Sequence, residues 1–171
     1  MSASWTLDYA LEHRFKARAL EPQFKAYWSD ADRANAIYRV WHDTEARAQN
    51  PKPYLIYERM AGLRTGNSSG SGCEPENNVE YWTIPVQLRV HAHDSRENGY
   101  AGKTICKDLI VLLIAAFEDA AGVLSFPTGG DDRHVQTHVG ADICMREGDR
   151  EWKWILPLEI EIERRRRIRG L

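Results

Sequence analysis

Alternation of apolar and polar positions divides this chain into a helical first third and a sheet-forming remainder. Nine consecutive apolar residues, Leu109 to Phe117, lie inside a stretch from about Gly102 to Ala121 that has helical texture. At ~100° per residue, Ile105, Leu109, Leu112, Leu113, Ala116 and Phe117 share one broad face, with Val111 and Ile114 opposite, among Lys103, Lys107 and Glu118. A helix apolar on more than one side needs more cover than a single sheet. The chain's own N-terminal segment and a neighbouring subunit are the two candidates.

Three stretches alternate with period two. From Val79 to Asp94, Trp82, Ile84, Val86, Leu88, Val90 and Ala92 fall on one face and Gln87, Arg89, His91 and His93 on the other. Val135, Thr137, Val139, Ala141, Ile143 and Met145 define a second strand. Trp152, Trp154, Leu156, Leu158, Ile160 and Ile162 define a third, joined to the second by a turn at Glu147–Arg150. Tyr54–Tyr57 is a short fourth. Upstream, an amphipathic helix is expected over Leu7–Leu20. A second is expected from a cap at Ser29 or Asp30, carrying Ile37, Val40 and Trp41, to the prolines at 51 and 53. No sequence repeat is visible. These elements predict one α+β domain over 1–171: a single antiparallel sheet of about four strands with helices packed on one face. Residues 1–53 form its helical N-terminal segment and 54–168 its sheet-and-helix core. Residues 62–78, rich in Gly, Ser and Asn, read as a flexible loop.

Composition narrows the function classes. Charged residues make up 28% and hydrophobic ones 43%, and the net charge is −2. No global basic field marks a nucleic-acid packer. The longest apolar run is too short for a membrane span, and no secretory leader is apparent. Cys73, Cys106 and Cys144, odd in number and widely spaced, suit a reducing cytoplasm.

Chemistry-bearing groups are sparse. His91 and His93, two apart on a strand, point the same way and with Asp94 form the one candidate metal pair. Third ligands such as His134, His138 or Asp142 require a fortunate register. Gly129–His134 lacks the lysine and the strand-to-helix context of a phosphate loop. Cys106, Ser95 and Ser125 have no nucleophile context. Glu159, Glu161 and Glu163 form an acidic row on the polar face of the last strand, followed by Arg164–Arg167 and Arg169. That basic cluster reads as a salt-bridging or subunit-contact tail. Trp82, Trp152 and Trp154 are core by pattern.

The order of elements has a further consequence. A helical segment leads into Pro53–Tyr57, a loop, the long strand Tyr81–Asp94, the helix Lys103–Ala120 and the hairpin Val135–Ile162. Over about Tyr54–Arg164 this resembles the tail terminator (tail completion, or neck) proteins of long-tailed bacteriophages. The resemblance implies a non-enzymatic virion protein without a cofactor, assembled in the bacterial cytoplasm. It implies a homohexameric ring on the head-proximal end of the tail tube that stops polymerisation and meets the head connector or stopper protein. Val111, Ile114, Lys107 and Glu118 on the helix, and Gly66, Ser69 and Gly72 in the loop, are then the interface candidates. Glu159, Glu161 and Glu163, with Arg165 and Arg167, would line a lumen close to DNA or pair between subunits. The alternatives are another neck or connector-adaptor protein, and a metal-dependent enzyme using His91, His93 and Asp94.

Overall fold

The computed structural model describes residues 3–35, 38–43, 50–68, 78–94, 101–118, 124–127 and 131–166. In chain order the elements are α1 (Ala3–Ala17), α2 (Leu20–Lys25), α3 (Asp30–Asn35), β1 (Trp41–His42), β2 (Tyr54–Arg59), β3 (Leu63–Ser68), β4 (Asn78–His93), α4 (Gly102–Glu118), β5 (Asp132–Val139), β6 (Ile143–Arg146) and β7 (Glu151–Arg166). The expected antiparallel sheet of about four strands with helices on one face is therefore corrected. The described residues form a mixed sheet of seven strands with four helices, in the order β1-β2-β4-β7-β5, with β3 beside β4 and β6 beside β7. β1 runs parallel to β2, and the other pairs are antiparallel.

Two prolines explain most of the extra strands. β4 and β7 pair without interruption from Asn78↔Arg166 to His93↔Glu151. In an antiparallel ladder a residue's N–H and C=O face the same neighbour. The Pro85 carbonyl accepts from the Met60 N–H (2.9 Å), and the Pro157 carbonyl from the Gly140 N–H (2.9 Å). The missing proline donors therefore face the outer neighbours and leave the β4–β7 ladder intact. Each outer strand breaks there for three residues, 60–62 between β2 and β3 and 140–142 between β5 and β6. At Gly140 the chains approach so closely that a Cβ would lie 2.8 Å from Pro157 Cγ, which only glycine avoids. β2-β3-β4 and β5-β6-β7 thus repeat one plan, a broken strand followed by a sixteen-residue strand with a proline near its middle. The side-chain pattern does not repeat, so the duplication is invisible in the sequence.

The breaks also move faces. At the Gly140 break the pairing slips from Val139↔Leu158 to Ile143↔Ile155. One residue of slip inverts every side chain. Ile143 and Met145, expected on the apolar face, are 54% and 43% exposed. A bulge between His134 and Gln136 likewise turns Val135 outward and buries His134.

The core lies on the even-numbered face of the central strands. Ile84 to Ala92 from β4 and Leu156 to Ile162 from β7 pack with Ile105, Leu109, Leu113 and Phe117 of α4 and Leu7, Leu11 and Phe15 of α1. Each such side chain contributes about 1.5–3 kcal/mol by leaving water. The first turn of α4 is fixed by the Asp94 carboxylate, which accepts from the Gly102 N–H at 2.6 Å. At the other end the Arg14 guanidinium donates to the Ala116 carbonyl at 2.8 Å, placing a cation where the helix leaves carbonyls unpaired.

The N-terminal helices differ from expectation. Ala19 adopts a left-handed conformation (φ 48°) and ends α1, and Pro22 sits in the first turn of α2, where its lost donor has no partner to miss. Ser29 caps α3, accepting from the Asp32 N–H at 3.1 Å. The expected second helix stops at Asn35, and Trp41 instead opens β1. Ile37 lies outside the described residues.

Candidate functional site

Burial separates the two odd apolar residues of α4. Ile114 is half-buried against the core, and Val111 is 56% exposed. Lys107 and Glu118 beside Val111 are exposed. The chain's own N-terminal segment covers one flank of the helix. Phe15 meets Phe117 edge-on with centroids 6.3 Å apart, and the Tyr27 hydroxyl donates to Asp108 at 3.3 Å. The cover left open by the sequence is thus largely internal, and of the two residues Val111 stands outside it.

The odd-numbered face of β4 and β7 carries the polar candidates. There β2, β4, β7 and the β6–β7 turn enclose a cleft of about 230 Å³. Tyr54, Ile56, Arg89 and His91 form its floor, and Lys52, Glu147, Glu151 and Lys153 its rim. The His91 ring stacks on Tyr54 at 5.0 Å, and its Nδ1 lies 3.5 Å from Glu147. Burial outweighs Glu147 and pushes His91 down to about 4, so its ring is neutral at neutral pH. Glu147, hydrogen-bonded to Lys153, is held below the ordinary carboxylate range.

This sets a pH dependence. As pH falls below about 6.5, the usual histidine value, the unfolded chain takes up a proton at residue 91 that the folded chain resists down to about 4. Stability is therefore lost across that window. Denaturant midpoints at pH 7 and 4.5 should differ less for His91→Gln than for the parent chain. An equal pH difference in both would contradict the burial of this ring.

The metal candidates do not converge. Asp94 is engaged by α4, and His93 is exposed. His134 lies opposite Ile162 and His138 opposite Glu159, far along β7 from Lys153, the residue opposite His91. Among the described residues no three His, Cys, Asp or Glu side chains are grouped to hold a metal. Cys106 is buried, and burial pushes its thiol up to about 12, the opposite of an activated nucleophile.

The acidic row is unevenly engaged. Glu159 is exposed, Glu161 lies 3.4 Å from His138, and Glu163 lies 3.3 Å from Arg165 on its own strand. Arg164 is different. It shares the even-numbered face and forms a two-pronged bridge to Asp132 at 2.7 and 2.8 Å. Its parity with Ile160 and Ile162 carried that signal in the sequence. Arg167, Ser69 and Gly72 lie outside the described residues. Of the expected loop, Leu63–Ser68 forms β3. Gly66 and Glu161 meet in a second cleft of about 360 Å³ with Thr65, Tyr81 and Thr83.

Pattern reading missed the two apolar margins of the sheet. On the β3 side Met60 and Leu63 are 52% and 69% exposed; on the β6 side Ile143 and Met145 stand out. No described helix is long and apolar enough to cross a membrane. No family model and no curated protein matches this chain.

Proposed function

We propose that this chain is a structural, ring-forming virion protein of the tail terminator kind, which closes the head-proximal end of a phage tail tube and presents a surface to the head connector. The observation that carries this reading is the pair of unlike apolar margins on one sheet. Met60 and Leu63 project at one edge, and Ile143 and Met145 at the other. A ring of identical subunits is closed by heterologous contacts, in which each copy offers two different patches. Val111, with Lys107 and Glu118 around it, supplies a further contact to the tube or connector. Glu159 on the open sheet face would give a lumen an acidic wall along which DNA slides.

Mass photometry and negative-stain imaging of the purified chain, alone and with tail tubes, test the reading. A closed ring of about six subunits is the expected result. Leu63→Glu and Ile143→Glu should each leave folded single subunits, because both side chains face water in the isolated subunit, and the thermal midpoint should fall only by what assembly contributes. Mixing the two variants should give pairs and no rings, since one intact interface remains between them. A strict monomer at tens of micromolar that also ignores tail tubes would overturn the proposal.

A further inference from the structure

The cleft over His91 has an arrangement that ring formation does not use. Each of its cations is paired with a carboxylate, and in every pair the base lies deeper than the acid. Lys52 is 21% exposed against 54% for Glu151, and their atoms are 2.5 Å apart. Arg89 is 16% exposed against 52% for Glu58, at 3.0 Å. Lys153, bonded to Glu147, is 18% exposed against 33%. The Lys and Arg stems are buried along the cleft, and the carboxylates are the more exposed partner of each pair. Here the donors are drawn in and the acids sit over them.

Two nitrogens at the floor are left over. Arg89 Nε and His91 Nε2 are closed off from solvent and have no hydrogen-bond partner among the described residues. Buried nitrogens of this kind are nearly always satisfied in folded proteins, and an unpaired guanidinium N–H is the costliest kind to leave so. Tyr54 and Ile56, beside them on the floor, are buried. The space, about 230 Å³, admits one small charged group.

We propose that this cleft binds a single oxyanion, a carboxylate or a phosphate group, gripped by Arg89 and by the Nε2–H tautomer of the neutral His91 ring, and flanked by the Lys52 and Lys153 ammonium groups. The anion enters by displacing the exposed acids, chiefly Glu151 and Glu58, which swing into water while the bases stay in place. Planar two-pronged recognition by a guanidinium suits either oxyanion. The site does not depend on ring formation, and its occupant is delivered by solution or by a partner.

Titration of the full chain with inorganic phosphate and with acetate, followed by the His91 ring resonances in NMR, tests the proposal, with sodium chloride at matched ionic strength as control. A saturable shift absent from the chloride series is expected. Arg89→Gln should weaken it by about tenfold or more. Glu151→Gln should tighten it by about twofold, by removing the competing acid. Lys153→Gln gives a second weakening variant should Arg89→Gln fail to fold. Saturation at lower phosphate than acetate assigns a phosphate group, and the reverse assigns a carboxylate. A shift that never saturates, that chloride reproduces, or that survives unchanged in both weakening variants overturns the site.

Discussion

Replacing Phe15 with alanine is expected to lower stability by about 3–5 kcal/mol, the range for a fully buried aromatic ring. For a chain of this size that corresponds to a fall of roughly 10 °C in thermal midpoint. Phe15 has no exposed surface, and its ring meets three elements besides its own. Trp41 of β1 lies 5.7 Å away, Tyr57 of β2 5.9 Å and Phe117 of α4 6.3 Å. The residue therefore joins the N-terminal helix, the parallel edge of the sheet and the end of the central helix. Alanine leaves a cavity that none of these can fill by a rotamer change alone, since Phe117 and Tyr57 are themselves packed. Phe15→Leu should lose less than half as much, because an aliphatic side chain refills most of the space. Calorimetry of the three proteins reads this directly. A loss below about 1 kcal/mol for the alanine variant would mean that α1 is not part of the cooperative core.

That junction was only half legible in the sequence. The periodicity of Leu7–Leu20 announces a helix, and the run Leu109–Phe117 announces a buried one, but neither says that they meet. The pairing of Val40–Trp41 with β2 is non-local, so local texture assigned those residues to a helix instead. Trp41 and His42 pair in parallel with Leu55 and Ile56, and the Leu55 N–H donates to the Val40 carbonyl at 2.7 Å. The long strands β4 and β7 were plain because strict alternation marks one buried face. Their neighbours were obscured by the prolines. Pro85 and Pro157 do not interrupt the strands that contain them; they interrupt the strands beside them, where Gly62 and Gly140 are the one local sign of the close approach. The one-residue slip at Gly140 follows from this break, and it alone moves Ile143 and Met145 from the expected core to the surface.

The same displacement shaped the candidate sites. His91 and Arg89 were visible as polar residues on the open face of a strand. What makes them a cleft is the turn carrying Glu147, brought over them by the pairing of β6 with β7, together with Lys52 from the segment before β2. Sequence proximity of His91, His93 and Asp94 suggested a metal, whereas register separates them into a stacked ring, an exposed imidazole and a helix cap. The open apolar margins lie where the outer strands are broken, so the exposed edges on which the ring proposal rests and the feature that hid the fold have one cause.

Removing the Asp132 carboxylate is the second change with a large expected effect. Glu80, Arg164 and Asp132 stand opposite one another on β4, β7 and β5, at the end of the apolar face. Asp132 accepts two bonds from Arg164 and a third from the Thr6 hydroxyl of α1 at 2.9 Å. The bridge is largely enclosed, with side chains 6% and 22% exposed, and the hydrogen bond to Asp132 holds the Arg164 guanidinium more firmly protonated than usual. Arg164 also lies over the Trp82 ring at 5.9 Å, and Trp82 donates to Glu80 at 3.2 Å. Asp132→Ala removes both hydrogen bonds of this bridge and leaves the cation with Glu80 as its facing carboxylate, and should cost about 3 kcal/mol. Arg164→Met keeps the contact with Trp82 and removes the charge. Paired with Asp132→Ala it should recover part of the loss, because much of the cost lies in the under-compensated ion, while Glu80 keeps Arg64 as a partner at 3.4 Å. A double-mutant cycle by urea denaturation reads the coupling. Additive losses would show that the three strands are held at this end by packing alone. A strong coupling would show that the row of acid, base and acid closes the core where the apolar alternation runs out.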